Sequence, residues 1–266
     1  MGIEMKTMNA DAQTEPAATV AVRSVKRSRL RRTGRFFVRA VPIFVTLVML
    51  ANWLWLISGS NTWRQKIDRN GTQVYTMKTP GAAILKVRVV SHSKEFSLST
   101  RLAPVLDESI QQDCAKWVSG CLRYRIVQPW DPRTQTNVVM WTIALTPPFA
   151  PRELLIQNQI TQDPHTKAVT LESLAVPDRL PPDDCCVRVE HVHNIWRYTP
   201  QPDGSIQEEL LYDFDMGGAF PTLLLNLGAP RELFKEVTVS NPAKLRDRRY
   251  RSAHLDFLEE RGVAAH

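Results

Sequence analysis

The stretch that decides the fold runs from Cys186 to Leu227, CVRVEHVHNIWRYTPQPDGSIQEELLYDFDMGGAFPTLLLNL. Cys186 to Tyr198 reads as one long strand, Asp203-Gly204 as a two-residue hairpin turn, and Ile206 to Met216 as the returning strand. Alternation along the returning strand puts Leu210, Tyr212, Phe214 and Met216 on one face and Glu209, Leu211, Asp213 and Asp215 on the other. Past Gly217-Gly218, Phe220-Pro221 opens an apolar helix, Thr222 to Leu227, with proline near its N-terminus. Gly228-Ala229-Pro230 interrupts that helix, and a second helical stretch follows from Arg231 to about Val239. A sheet with one apolar face must be covered, and the C-terminal helix is the element available to cover it.

Working upstream, the strand candidates are Cys121 to Val127, Asn137 to Leu145, Leu154 to Gln162 and Lys167 to Ala175. Leu98 to Trp117 has a helical period, with Leu102, Val105, Leu106 and Ile110 on its apolar side. Before it, Gln73 to Thr79 and Ala83 to Val90 form a hairpin, preceded by the turn signal Asn70-Gly71 and a short helix over 61–66. Asn70-Gly71-Thr72 also matches a glycosylation sequon, a reading that ranks below the turn. The expected architecture is α+β, with a curved antiparallel sheet wrapped around a C-terminal helix.

The chain has 266 residues and a net charge of +7. The first 40 residues hold nine basic and three acidic side chains, while the other 226 hold 25 and 24. Nearly all the basicity therefore belongs to the N-terminus, and a nucleic-acid partner, which would need a basic face on the body, is not expected. Next to the basic run stands Val41 to Ile57, VPIFVTLVMLANWLWLI, which has no charged residue and spans about 25 Å as a helix. Residues 36–58 are read as a transmembrane signal anchor, with a cleaved signal peptide as the alternative. Residues 1–35 are read as a disordered basic tail on the cytoplasmic side, 61–245 as the folded domain across the membrane, and 246–266 as a charged extension. In a bacterium the domain would be periplasmic.

Four cysteines, Cys114, Cys121, Cys185 and Cys186, allow three disulfide pairings in an extracytoplasmic domain, and spacing does not choose among them. No spacing typical of a zinc site is present.

Three stretches give the body its family likeness: Trp63, Asp68, Gly71 and Val74-Tyr75-Thr76; Pro147-Pro148-Phe149-Ala150-Pro151-Arg152-Glu153-Leu154; and Val187-Arg188, Trp196, Pro200, Gly204, Tyr212, Asp215, Gly217-Gly218, Phe220-Pro221, Leu224 and Asn226. Together they resemble the START domains, the steroidogenic-acute-regulatory-related lipid-transfer domains of the helix-grip fold. The interrupted C-terminal helix departs from that pattern. The resemblance implies one hydrophobic ligand, a sterol, phospholipid or similar, held between sheet and C-terminal helix and passed between membranes. It implies no cofactor.

The candidate ligand-binding residues are Trp141, Arg188, Glu190, His191, Tyr212, Phe214, Met216, Leu224 and Leu227, with Arg188 and Glu190 as a polar clamp. His191 and His193, two apart on one strand, have a spacing able to chelate a metal, but two ligands do not make a site. The competing readings are a helix-grip enzyme of cyclase or aromatase type using His191, His193 or Asp213, and a ligand-dependent scaffold signalling through its tail. Neither a G-x-S-x-G motif nor a glycine-rich phosphate loop is present.

Overall fold

Eleven strands form the sheet of the computed structural model, which describes residues 25–260. Residues 1–24, most of the expected disordered tail, lie outside the described residues, as do 261–266. The chain divides into two compact units, residues 1–53 and 54–266.

Helix α1 spans Val25–Ile57, so it begins eleven residues before the anchor expected from sequence. Its segment Ala40–Ile57 has a mean hydropathy of 2.1 and none of it is buried. Such a surface is stable against hydrocarbon and costly against water.

In the second unit, strands β1 (Arg64–Arg69) and β2 (Thr72–Met77) form a hairpin where a short helix over 61–66 was expected. Asn70 and Gly71 both adopt positive φ, 53° and 71°, and this turn extends the chain on both sides into strands. Strand β3 (Lys86–Ser93) follows, then helices α2 (Leu98–Leu106) and α3 (Ile110–Trp117). The sequence period predicts one helix there. Asp107 breaks it, because its carboxylate accepts from Ser109 N at 2.8 Å and Ser109 Oγ at 2.6 Å, a local turn that competes with the helix.

Strands β4 (Cys121–Asp131), β5 (Thr136–Ile143), β6 (Arg152–Gln162) and β7 (Val169–Ala175) form a meander. The stretch expected as one strand from Cys186 to Tyr198 is two, β8 (Val187–Arg188) and β9 (His191–Pro200). Strand β8 pairs in parallel with β6, whereas β9 pairs antiparallel with β7, so the chain changes partner at Val189-Glu190 and the alternation changes phase. Fully buried Val189 is followed two residues later by exposed His191. Strand β10 (Ile206–Tyr212) and the short β11 (Phe214–Asp215) complete a sheet of order β1-β2-β3-β10-β9-β7-β6-β5-β4, with β11 on β9 and β8 on β6.

The two motifs at the end of β11 lock each other. Gly217 and Gly218 sit at φ of 66° and 58°, and a Cβ on Gly218 would meet Val187 Cγ1 at 3.3 Å. Buried Arg152 donates from Nε to Met216 O at 2.6 Å and from Nη2 to Gly217 O at 3.2 Å, which explains why this turn needs glycines and an arginine from β6.

Helix α4 (Thr222–Lys235) is not interrupted by Gly228-Ala229-Pro230. Ala229, Leu233 and Phe234 pack on the core of Val74, Val87, Val89, Leu210 and Val237, and this packing holds the helix through Pro230. A π-helical turn (Glu236–Ser240) and helix α5 (Asn241–Leu245) follow. The expected charged extension instead packs back as a strap. Tyr250 is buried against Trp117 with ring centroids 5.1 Å apart, and Leu258 joins the core of Leu98, Leu102, Ile160 and Tyr198. Glu260 accepts from Leu98 N at 3.2 Å and Ser99 N at 2.8 Å, capping the first turn of α2.

Candidate functional site

Between the inner face of the sheet, helices α2 and α3 and the C-terminal helical segment lies a cavity of about 420 Å³. Alternation builds its wall: Val139, Trp141 and Ile143 of β5, Leu154 and Ile156 of β6, Leu171 of β7, Trp196 of β9, and Leu210 and Tyr212 of β10. Trp117 and Val118 close one side, and Leu233, Glu236, Asn241 and Lys244 close another.

One polar row crosses this apolar wall. Strand register sets Asn137 opposite Asn158, Asn158 opposite Ser173, and Ser173 opposite Asn194. Ser173 Oγ donates to Asn158 Oδ1 at 2.7 Å, Asn158 Nδ2 to Asn137 Oδ1 at 2.9 Å, and Asn137 Nδ2 to Val105 O at 2.8 Å. Asn158, Ser173 and Asn194 line the cavity, so the row carries hydrogen-bonding groups into an otherwise apolar space. Buried Trp117 Nε1, on the opposite side, finds no acceptor among the described residues. Burial pushes the Tyr124 hydroxyl up to about 12, which keeps it protonated and neutral in the wall.

Of the nine candidate residues, the structure brings Trp141 and Tyr212 together in this cavity. Phe214 and Met216 pack nearby with Leu154, Val189, Val192 and Leu225 as solid core. Leu224 and Leu227 do not face the sheet: they are 54% and 71% exposed, and Leu233 and Val237, further along the helical segment, do the covering. No clamp forms between Arg188 and Glu190. Arg188 instead donates from Nη2 to Glu153 Oε2 at 2.7 Å and from Nη1 to Leu180 O at 3.0 Å, while Glu190 is exposed. The break between β8 and β9 is the reason, since it removes the shared face that the continuous strand implied.

His191 and His193 project outward. His191 Nε2 lies 2.9 Å from Asp213 Oδ1, and His193 Nε2 lies 2.7 Å from Glu172 Oε1, so each engages a different carboxylate. Burial pushes the Asp213 carboxyl up, but the hydrogen bonds from Lys86 and His191 outweigh it and hold the group below the usual range. Among the described residues no group of three or more metal-ligating side chains occurs. Asp215 accepts from Gly217 N at 2.8 Å as a turn residue.

Sequence reasoning missed the row Asn137, Asn158, Ser173 and Asn194. The signal was there, as asparagines on the inward faces of three strands whose neighbouring inward residues are apolar, but only register aligns them. The cysteines, left open above, pair as Cys114–Cys121 and Cys185–Cys186.

No protein-family model and no curated protein matches the sequence. Solved structures do match in fold. The STAR-related lipid transfer protein (fragment 25–204) of Xanthomonas axonopodis superposes with a TM-score of 0.58 at 19% identity, covering 69% of this chain and 98% of that one. Human STARD10 gives 0.59 at 14% identity, covering 72% and 76%, and human StAR-related lipid transfer protein 5 gives 0.55 at 15%, covering 77% and 97%. The chain therefore has the helix-grip fold of the START lipid-transfer domains.

Proposed function

We propose that this chain is a membrane-anchored lipid-binding and lipid-transfer protein, with residues 61–260 as the lipid-binding body. The observation that carries the reading is the cavity of about 420 Å³, apolar over most of its wall and crossed by one polar row, on a fold it shares with lipid-transfer domains. Apolar burial of about 25 cal/mol per Å² would drive entry. Asn158, Ser173, Asn194 and the Trp117 indole would orient a hydroxyl or head group, because a ligand lacking those groups leaves them desolvated.

The anchor reading is supported by the unburied apolar segment Ala40–Ile57 and by the basic run before it. Two disulfides fit an oxidising, extracytoplasmic compartment. Protease protection of terminal tags in intact cells checks the topology, with the C-terminal tag expected to be shielded from the cytosol.

The cavity is tested on the full chain in lipid nanodiscs, using photoactivatable cholesterol and phosphatidylcholine followed by mass spectrometry of the labelled peptides. Adducts are expected on β5, β10 and the Leu233–Lys244 segment, with the released lipid unchanged in mass. Labelling confined to Ala40–Ile57 rejects the reading, and a lipid of altered mass turns it into an enzyme.

A further inference from the structure

A second polar row crosses the same inner face further along. Register aligns Ser91 of β3 with Glu208 of β10 and Glu208 with Tyr198 of β9, and buried Thr72 opens β2 one residue before the Gln73–Val90 pair. Above it lies a separate cavity of about 270 Å³ to which Thr72, Ser91, Glu208, Arg101 of α2, Thr238 and Asn241 contribute. Buried Val237, on the π-helical turn, also lines it.

The Arg101 side chain is 2% exposed and that of Glu208 is 6%. Arg101 Nη1 donates to Glu208 Oε2. The guanidinium carbon lies over two rings, 5.7 Å from the centroid of Phe96 and 5.5 Å from that of Tyr198. Its Nε and Nη2, which share one edge of the plane, find no acceptor among the described residues, and Glu208 Oε1 finds no donor. Buried groups of this kind are costly to leave unmatched.

We propose that this cavity is a second binding site, for a neutral polyhydroxylated group such as a sugar or polyol. A hydroxyl both accepts and donates, so adjacent hydroxyls satisfy the Arg101 edge and Glu208 Oε1 together, with Ser91, Thr238 and Asn241 in reach of the remainder. Charge selects against ions. Arg101 is matched by Glu208, and Arg246 at the cavity wall is matched by Glu95 at 2.5 Å, so an anion meets two carboxylates and a cation two guanidinium groups. The site does not depend on the lipid reading of the larger cavity.

Saturation-transfer NMR on the full chain in phosphatidylcholine nanodiscs tests it with four probes: methyl β-glucoside, myo-inositol, inorganic phosphate and methylammonium. The two neutral polyols are expected to bind and the two ions not. Replacing both charges together, Arg101→Met with Glu208→Met, avoids stranding one buried charge and is expected to weaken polyol binding by about tenfold or more at an unchanged far-UV spectrum. Ser91→Ala is a second, milder variant that leaves the ion pair in place and is expected to weaken binding in the same direction. Trp141→Ala, in the larger cavity, is expected to leave polyol binding intact, which separates failure here from failure of the lipid reading.

Binding of free glucoside identifies a soluble ligand. Binding only when galactosyl diacylglycerol is in the nanodisc, lost in the double variant, identifies a glycolipid head group. Phosphate binding, no polyol binding in either form, or polyol binding that survives both the double variant and Ser91→Ala overturns the proposal.

Discussion

At the scale of single residues, a charge buried on this sheet is held by a charge of opposite sign or by backbone carbonyls. Arg188 and Glu153 illustrate the rule, with side chains 9% and 3% exposed. Breaking such a pair strands a buried charge, so Arg188→Met is expected to cost about 3–5 kcal/mol in urea unfolding. Adding Glu153→Leu should recover most of the loss. A double variant no more stable than the single one would mean that Arg188 acts through its carbonyl partners in the 177–181 loop instead. Asn158 makes a different case, because it donates to Asn137 and accepts from Ser173. Asn158→Leu is expected to cost about 1–3 kcal/mol by leaving both partners unmatched. In photolabelling from lipid nanodiscs it should also erase any preference for hydroxylated over fully apolar ligands; a preference that persists would assign head-group recognition elsewhere in the cavity.

Among the elements, the strap after α5 has the most consequence for stability. Tyr250 donates its hydroxyl to Asp107, which sits in the break between α2 and α3, and Arg249 reaches the same carboxylate at 3.4 Å. Burial pushes Asp107 up, but hydrogen bonds from Ser109 and Tyr250 and the nearby Arg249 charge prevail and hold it below its ordinary 3.8. A depressed carboxyl stabilises the fold above its unfolded pKa and loses that contribution as pH falls through its lower folded value. Acid unfolding should therefore steepen below about pH 3.8. Tyr250→Phe should flatten that limb while costing about 2 kcal/mol at neutral pH, and identical acid limbs would remove Asp107 from the account. Leu258→Ala, buried in the core beside Leu98 and Leu102, is expected to cost about 2–4 kcal/mol and to raise amide exchange at the start of α2.

For the molecule as a whole, the disulfides respond to the redox state of the surroundings. Cys114–Cys121 ties α3 to β4 across a Cα separation of 5.8 Å. Reduction of the full chain is expected to lower stability by about 2 kcal/mol, read as a lower thermal midpoint, and Cys114→Ala with Cys121→Ala should reproduce the shift without reductant. If the double variant melts like wild type, any drop on reduction belongs to Cys185–Cys186.

Much of the chain was legible because its signals are local. The hairpin turns at Asn70-Gly71 and Asp203-Gly204, the four strands of the meander, the Gly217-Gly218 entry to α4 and the apolar segment before Ile57 each follow from a few consecutive residues. Periodicity failed where the chain changed partner. Val189-Glu190 reads as mid-strand and is a switch from β6 to β7, which cost the Arg188–Glu190 clamp. Leu224 and Leu227 read as ligand-facing residues of the covering helix, yet Leu233 and Val237 took that place and left both leucines exposed. The strap has no period, so its arginines were counted and Tyr250 and Leu258 were not.

The sequence by itself determined the fold class, the apolar N-terminal segment and the location of the excess charge, since turn chemistry, alternation and composition act over neighbouring residues. Only the tertiary structure decided the site. A cavity is a property of strand register and of what covers the sheet, and the row Asn137, Asn158, Ser173, Asn194 spans 58 positions of chain while lying across four adjacent strands. Residues that distant become neighbours only through hydrogen-bonded register, which no single stretch of sequence contains.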